Sequence, residues 1–199
     1  MLHLKSISPE LLELLTQLMH DDVFKHFNLV GGTALALQIG HRISIDIDLF
    51  GNCEIDEIAV LDQLNACGPV HVLKKSKNIL ICSVQGIKVD IVNYSYPILE
   101  NTLISDGIRM VGLKDIAAMK MNAIAGRGSK KDFIDVYYLL QYFTLEVMID
   151  LYLQKYSNGS EFLVRKSLTF FDDAEEEEMP VMLGDISWDR IKERVLEVL

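Results

Sequence analysis

The chain has little cysteine, little proline, one tryptophan and a shortage of positive charge. Its three cysteines, Cys53, Cys67 and Cys82, form neither a metal-ligand spacing nor a paired framework. That excludes a disulfide-stapled scaffold and suits a reducing cytoplasm, the expected location. Only four prolines interrupt 199 residues, so long stretches are free to form regular structure. No apolar run reaches bilayer-spanning length, and no membrane partner is expected. The start, Met1-Leu2-His3-Leu4-Lys5, runs into Ser8-Pro9-Glu10, which reads as a helix start and not as a secretory leader. Nineteen basic residues face twenty-nine acidic ones, a formal net charge of −10. That balance argues against a broadly basic nucleic-acid-binding surface.

Half of the residues are hydrophobic, enough for a substantial core. The charge is uneven. Asp172 to Leu199 carry −7 and the rest of the chain −3, whereas Lys114 to Lys131 carry +4. The run Asp172-Asp173-Ala174-Glu175-Glu176-Glu177-Glu178 reads as a solvated linker. Two alternatives stay open: it lies over the basic helix pair, or it reaches a basic partner.

Periodicity gives the elements. Helices are expected over Pro9–His20, from Asp56 as cap to Ala66, and over Leu113–Ala125, Lys130–Gln141, Leu145–Tyr156, Glu161–Phe170 and Trp188–Val198. Strands are expected over Val70–Leu73, Ile79–Val84, Ile87–Asn93 and Ile108–Val111, with a hairpin turn at Gln85-Gly86. A strand-rich first half and a helical second half read as α+β. The expected division is an α/β core with an N-terminal helix over residues 1–111 and a helical region over 112–199.

The chemistry lies in Gly31-Gly32-Thr33, then twelve residues, then Asp46-Ile47-Asp48. Two glycines let the backbone turn sharply and approach a ligand with no Cβ in the way. Thr33 can cap a short helix to about Ile39, whose free N–H groups would face an anion. Ser44 to Phe50 alternates polar and apolar. Asp46 and Asp48 should therefore share one strand face, with Ile45, Ile47 and Leu49 pointing into the core. Paired carboxylates repel unless a cation sits between them, and hard oxygen ligands suit Mg²⁺ or Mn²⁺.

A further strand, Ile87 to Val92, puts Lys88 and Asp90 on one face and Ile87, Val89 and Ile91 on the other. It is either an edge strand with a solvated pair or the source of a third carboxylate. Downstream, a Lys120-bearing amphipathic helix buries Leu113, Ile116, Ala117 and Ile124, and ends near Gly126-Arg127-Gly128. Ser129 then caps a helix that opens with Asp132 and Asp135 and buries Phe133, Val136, Tyr137 and Leu140. By themselves Lys120 and Arg127 read as solvated helix residues and Asp132 as an N-terminal charge, with an ion pair from Lys120 to Asp132 or Asp135 as the competing reading.

The Gly-Gly turn followed by the paired aspartates resembles the signature of polymerase-β-like nucleotidyltransferases. With the Lys88-x-Asp90 strand and the Lys120…Arg127…Lys131-Asp132-Phe133-x-Asp135 helices, the stretch from Leu29 to Leu140 resembles the AbiEii/AbiGii-type nucleotidyltransferase family, which includes toxins of toxin–antitoxin and phage-defence systems. The resemblance implies a mixed sheet flanked by helices with a C-terminal helical region, and a shorter region than larger members carry. It implies that Gly31, Gly32 and Thr33 hold a triphosphate, with Arg127 beside them, and that Asp46, Asp48 and Asp90 hold metal. Lys88 would sit beside the metal centre, and Lys120, Asp132 and Asp135 would complete the catalytic face. The implied reaction moves a nucleoside monophosphate from an NTP to an acceptor hydroxyl, on RNA such as a tRNA 3′ end or on protein. Mg²⁺ or Mn²⁺ is the implied cofactor, and a cognate antitoxin the implied partner. Two other readings are an antibiotic-type small-molecule nucleotidyltransferase and a non-catalytic interaction module of the same fold. No Gly-x-x-x-x-Gly-Lys-Ser/Thr loop is present to support other phosphoryl chemistry.

Overall fold

The computed structural model describes residues 2–199. They form two compact units. Unit 1 comprises the chain up to Gly40, Ser44–Tyr96 and Thr102–Val111, and unit 2 comprises His41–Ile43, Pro97–Asn101 and Gly112–Leu199.

Unit 1 is built on helices α1 (Pro9–His20), α2 (Gly31–Ile39) and α3 (Glu57–Cys67) and strands β1 (Asn28–Leu29), β2 (Asp46–Gly51), β3 (Val70–Ser76), β4 (Ile79–Val84), β5 (Ile87–Asn93), β6 (Leu103–Ser105) and β7 (Ile108–Met110). Ser8 starts α1: its Oγ accepts from Leu11 N–H at 3.1 Å, with Pro9 in the first turn. Leu11, Leu14, Leu15 and Leu18 then form the buried stripe of α1. Asp56 caps α3 in the same way, accepting from Ala59 N–H at 3.1 Å.

The strands form one mixed sheet in the order β3-β4-β5-β2-β1-β7-β6. β5 pairs parallel to β2 and antiparallel to β4. The alternative of an edge strand for Lys88 and Asp90 is therefore wrong, because β5 has a neighbour on each side. Gln85 and Gly86 both adopt left-handed φ, at 51° and 86°, the conformation that tight two-residue hairpins require. Ile47, Leu49, Leu80, Cys82, Val84, Val89 and Ile91 are buried on the face that α1 and α3 cover.

Two local expectations need correction. Ile45 is 67% exposed. β2 begins only at Asp46, because Ser44 N–H donates to Ser6 O at 2.8 Å and leaves the ladder. Strand β6, which pairs antiparallel with β7, was not expected: three residues are too few to show a period.

Unit 2 contains α4 (Leu113–Gly126), α5 (Lys130–Leu139), α6 (Leu145–Lys155), α7 (Glu161–Leu168), α8 (Asp172–Glu175) and α9 (Trp188–Glu197). α4 packs on α5, α6 and α7, and α9 packs on α5. The acidic run is more than a linker, although its carboxylates are exposed. Its first four residues form α8, and Glu177 accepts from Lys130 N–H at 2.9 Å, at the start of α5. A carboxylate there meets an orphan N–H and the positive end of the helix dipole. Glu175 takes up Trp188 Nε1 at 2.7 Å and Lys192 Nζ at 3.1 Å. The alternative that the run lies over the basic helix pair is thus realised at Lys130. A further buried pair, Lys155 with Asp115 at 2.6 Å, ties α6 to α4. Asp115 also accepts from Leu99 N–H at 3.0 Å and Glu100 N–H at 3.2 Å, which brings 97–101 into this unit. No helix among the described residues is long and apolar enough to cross a membrane.

Candidate active site

In unit 1 the expected residues come together around the junction of α2, β2 and β5. Val30 N–H donates to Asp48 O at 2.9 Å, which docks the turn onto β2. The chain then enters α2 through Gly31 at φ +68°. That backbone conformation costs a residue with a Cβ roughly 1–2 kcal/mol. A Cβ would also overlap Asp48 Oδ2. Glycine at this position thus lets the first turn of α2 approach the carboxylate, and that turn carries N–H groups with no intrahelical acceptor.

Thr33 does not cap α2. It lies inside the helix, 1% exposed, and its hydroxyl is engaged with Asp46 O and with Ser44 Oγ, the latter at 2.9 Å. It pins α2 to the start of β2, and only its backbone is left to meet an anion.

β2 and β5 are in register, with Asp46 opposite Lys88 and Asp48 opposite Asp90. Partners in register share a face of the sheet. Four charged side chains therefore stand together on a surface whose reverse is core. Lys88 Nζ donates to Asp90 Oδ2 at 2.7 Å. Burial opposes the charge of Lys88, but the hydrogen bond to Asp90 and the fields of Asp90, Asp48 and Asp46 outweigh it and raise its pKa. Asp90 Oδ1 is buried and has no hydrogen-bond partner, an arrangement that costs free energy unless a ligand meets it.

These residues fit a divalent cation through the chemistry of the donor set. Among the described residues no group of three or more His, Cys, Asp or Glu side chains converges into a ready-made metal cage. Mg²⁺ is commonly held by one or two carboxylates together with substrate phosphates. An aligned carboxylate face beside an anion-binding helix N-terminus suits that shared form of ligation.

In unit 2 the expected residues also cohere, but as a closed network. Lys120 Nζ lies 2.9 Å from Asp132 Oδ1 and 2.6 Å from Asp135 Oδ2. Lys120 is 5% exposed, and both aspartates are fully buried. Arg127 Nε donates to Asp132 Oδ2 at 2.8 Å, and Ser129 Oγ donates to the same oxygen at 2.7 Å. The Ser129 hydroxyl thus engages Asp132 and makes no side-chain cap to α5. Burial by itself would raise the pKa of each aspartate. The charges of Lys120 and Arg127 outweigh it at Asp132, and those of Lys120 and Arg42 outweigh it at Asp135, so both carboxyls stay well below the usual range.

Two members of this network escaped the sequence reading. Arg42 grips Asp135 with two hydrogen bonds, Nε to Oδ1 at 2.8 Å and Nη2 to Oδ2 at 2.9 Å. His41 Nε2 lies 2.7 Å from Asp135 Oδ1. His41 Nδ1 is buried with no hydrogen-bond partner, so the neutral imidazole with its proton on Nε2 is the form that fits. Burial keeps its pKa below the ordinary histidine value, against the opposing pull of Asp135. The available signal was a basic pair, Gly40-His41-Arg42, in the twelve-residue gap of the motif, a stretch that reads as mere connection.

Comparison with known proteins bears on this arrangement. A family model described as "Nucleotidyl transferase AbiEii toxin, Type IV TA system" matches residues 13–81 and 82–199. An uncharacterized protein of Aquifex aeolicus is 37% identical over 198 residues, covering 96% of this chain and 94% of its own. A Helicobacter pylori structure assigned to the nucleotidyltransferases superposes with a TM-score of 0.59 at 17% identity, covering 97% of this chain and 89% of its own. The nucleotidyltransferase toxin MenT4 of Mycobacterium tuberculosis gives a TM-score of 0.59 at 13% identity, covering 94% and 80%. At such identities the two structures show a shared fold, a mixed sheet flanked by helices.

Proposed function

The chain belongs to the AbiEii family of nucleotidyltransferase toxins, and from that premise we propose that unit 1 carries out metal-dependent transfer of a nucleoside monophosphate from an NTP to an acceptor hydroxyl. The observation that supports it best is Asp90, in register with Asp48 and with one buried carboxylate oxygen lacking any partner. Asp46, Asp48 and Asp90 are the residues that would hold Mg²⁺ or Mn²⁺. The cation would supply charge neutralisation at the α-phosphate and a lowered pKa for the acceptor hydroxyl.

The remaining roles fall to this chain's own groups. The Gly31-Gly32 turn and the first N–H groups of α2 bind the triphosphate tail. Asp90 stands nearest the attacking hydroxyl and takes its proton as the new bond to the α-phosphorus forms. The bond from that phosphorus to pyrophosphate breaks. Lys88 holds the Asp90 side chain in place through the hydrogen bond between them. Lys120, Asp132 and Asp135 act by positioning, because their charges are spent on one another. Arg127 is bound to Asp132 while its side chain stays 68% exposed.

RNA 3′ ends and protein hydroxyls are the acceptor classes. The family description refers to type IV toxin–antitoxin systems, so a cognate antitoxin is the partner to seek. The deciding experiment incubates the protein with each α-labelled NTP, Mg²⁺ and total RNA, with an Asp48→Asn control. Label should enter RNA or protein in the wild type only. No label from any of the four triphosphates would defeat the proposal.

A further inference from the structure

The register of the sheet links β3 to the carboxylates. Lys74 stands opposite Ile81, Ile81 opposite Asp90, and Asp90 opposite Asp48. The next row runs His71, Ser83, Lys88, Asp46. Partners in register share a face, so His71 and Lys74 lie on the carboxylate-bearing side. With strands about 4.8 Å apart, Lys74 is about 10 Å from Asp90 and about 14 Å from Asp48 at the backbone.

A bulge brings these two residues to the same side. The β3–β4 register shifts between Val72 and Lys74, so Leu73 is the extra residue. Without it, strict alternation would send Lys74 to the side opposite His71. Bulges are used in this way to re-aim side chains beside functional sites. Lys75 takes the other face, opposite buried Leu80, and pairs with Glu57 of α3 at 2.7 Å. His71 and Lys74 are exposed, while Ile81 and Ser83 between them and β5 are half-buried and uncharged.

This edge is one of two basic stretches in the chain, the other being Lys114 to Lys131. Gln63 to Val89 contains four lysines and no acid, within a protein of net charge −10. An exposed lysine and an exposed histidine that extend a carboxylate-bearing face are complementary to the terminal nucleotides of a polyanion that must bring one end to those carboxylates. A protein hydroxyl would need no such row.

We infer that His71 and Lys74 form the acceptor track, holding the penultimate nucleotides of a single-stranded RNA whose 3′ hydroxyl reaches Asp90. This rests on the transferase reading above. Lys74 meets a phosphate, and His71 supplies a ring or a ring N–H to a base or sugar. The remaining negative charge of the surface disfavours a longer footprint, so the contact is confined to the end of the strand.

The test measures binding of a short fluorescein-labelled single-stranded RNA with a free 3′ hydroxyl to the full chain, across a salt series. Lys74→Gln should weaken binding about tenfold, the scale of a lost hydrogen bond to a charged group, and should flatten the slope of log K against log salt by about 0.7. His71→Ala should also weaken it, and Lys75→Gln should not. Mg²⁺-dependent NTP affinity should be unchanged in all three. Equal RNA affinity in wild type and in the double variant Lys74→Gln/His71→Ala overturns the inference. So does an equal loss in Lys75→Gln, which would reduce the effect to net charge. Wild-type protein that labels a polypeptide and does not bind the RNA overturns it as well, while leaving nucleotidyl transfer standing. Failure of the transferase reading itself shows separately, as Mg²⁺-dependent NTP binding that survives Asp48→Asn.

Discussion

The Cα of Gly31 lies so close to the carboxylate of Asp48 that a β-carbon there would overlap Oδ2. The contact joins the two halves of the sequence signature, the glycine turn and the aspartate strand. It makes glycine necessary for two reasons, positive φ and space. Gly31→Ala should therefore displace Asp48 as well as strain the turn. Stability should fall by roughly 1–2 kcal/mol from the left-handed backbone, and Mg²⁺-dependent NTP affinity should fall by more than stability. A fully functional alanine variant would show that the turn does not set the carboxylate.

Asp48→Asn should abolish metal-dependent triphosphate binding and leave the fold intact, because relieving repulsion between neighbouring carboxylates costs the apo protein little. Calorimetric titration of both proteins with NTP and Mg²⁺ checks this. Equal affinity in the two would remove Asp48 from the site.

Asp90→Ala separates turnover from binding. Transfer should drop about a hundredfold or more, the scale for losing a positioned proton acceptor, with a far smaller change in triphosphate affinity. If both fall together, Asp90 serves as an ordinary ligand and not as the group beside the attacking hydroxyl.

Lys120→Met leaves two buried aspartates short of a cation, although Arg127 and Arg42 remain on them. Breaking a buried pair on one side costs about 3–5 kcal/mol, and the remaining arginines place the expected loss near about 3 kcal/mol. NTP affinity should move less. Chemical denaturation and calorimetry on the one variant decide. Unchanged stability with weakened NTP binding would return Lys120 to direct phosphate contact.

His41 predicts a limb in the pH dependence of stability. Its folded pKa is depressed by burial. Below about 6.5, the ordinary histidine value, the unfolded chain therefore binds a proton that the folded chain does not. Stability should fall as pH drops through that range. Asp132 and Asp135 have depressed folded values too, and their contribution is lost only at pH values below the ordinary carboxylate range. In His41→Gln the mild-acid limb should vanish and the strongly acid loss should remain. Denaturation curves between neutral pH and mild acid would show it, and identical slopes in the two proteins would exclude His41 as the source.

The last helix is bound up with stability as well. Ile191 and Val195 of α9 are buried, and Trp188 meets Phe133 and Phe171 with ring centroids 6.0 Å apart. Deleting Trp188–Leu199 should therefore lower the melting temperature. An unchanged value would mean that α9 is available to a partner.

Much of this was determined by the sequence alone. Period-2 alternation gave β2 and β5 and the face shared by Asp46 and Asp48. Local capping chemistry gave the starts of α1 and α3, where Ser8 and Asp56 each accept from a backbone N–H. These signals are local, so the chain carries them without its fold. Long-range pairing is different. That Asp90 stands opposite Asp48 follows from parallel pairing of strands far apart in sequence, and nothing in either strand states its partner. Thr33 read as a cap because its hydrogen-bond partners, Ser44 and Asp46, lie across the turn. Asp135 read as a first-turn charge because His41 and Arg42 reach it from more than ninety residues away. The bulge that turns Lys74 to the face of His71 leaves no trace in residue type. Local propensity and periodicity act within a few residues, whereas the choice of partner for a buried charge or a strand edge is made only when the whole chain packs.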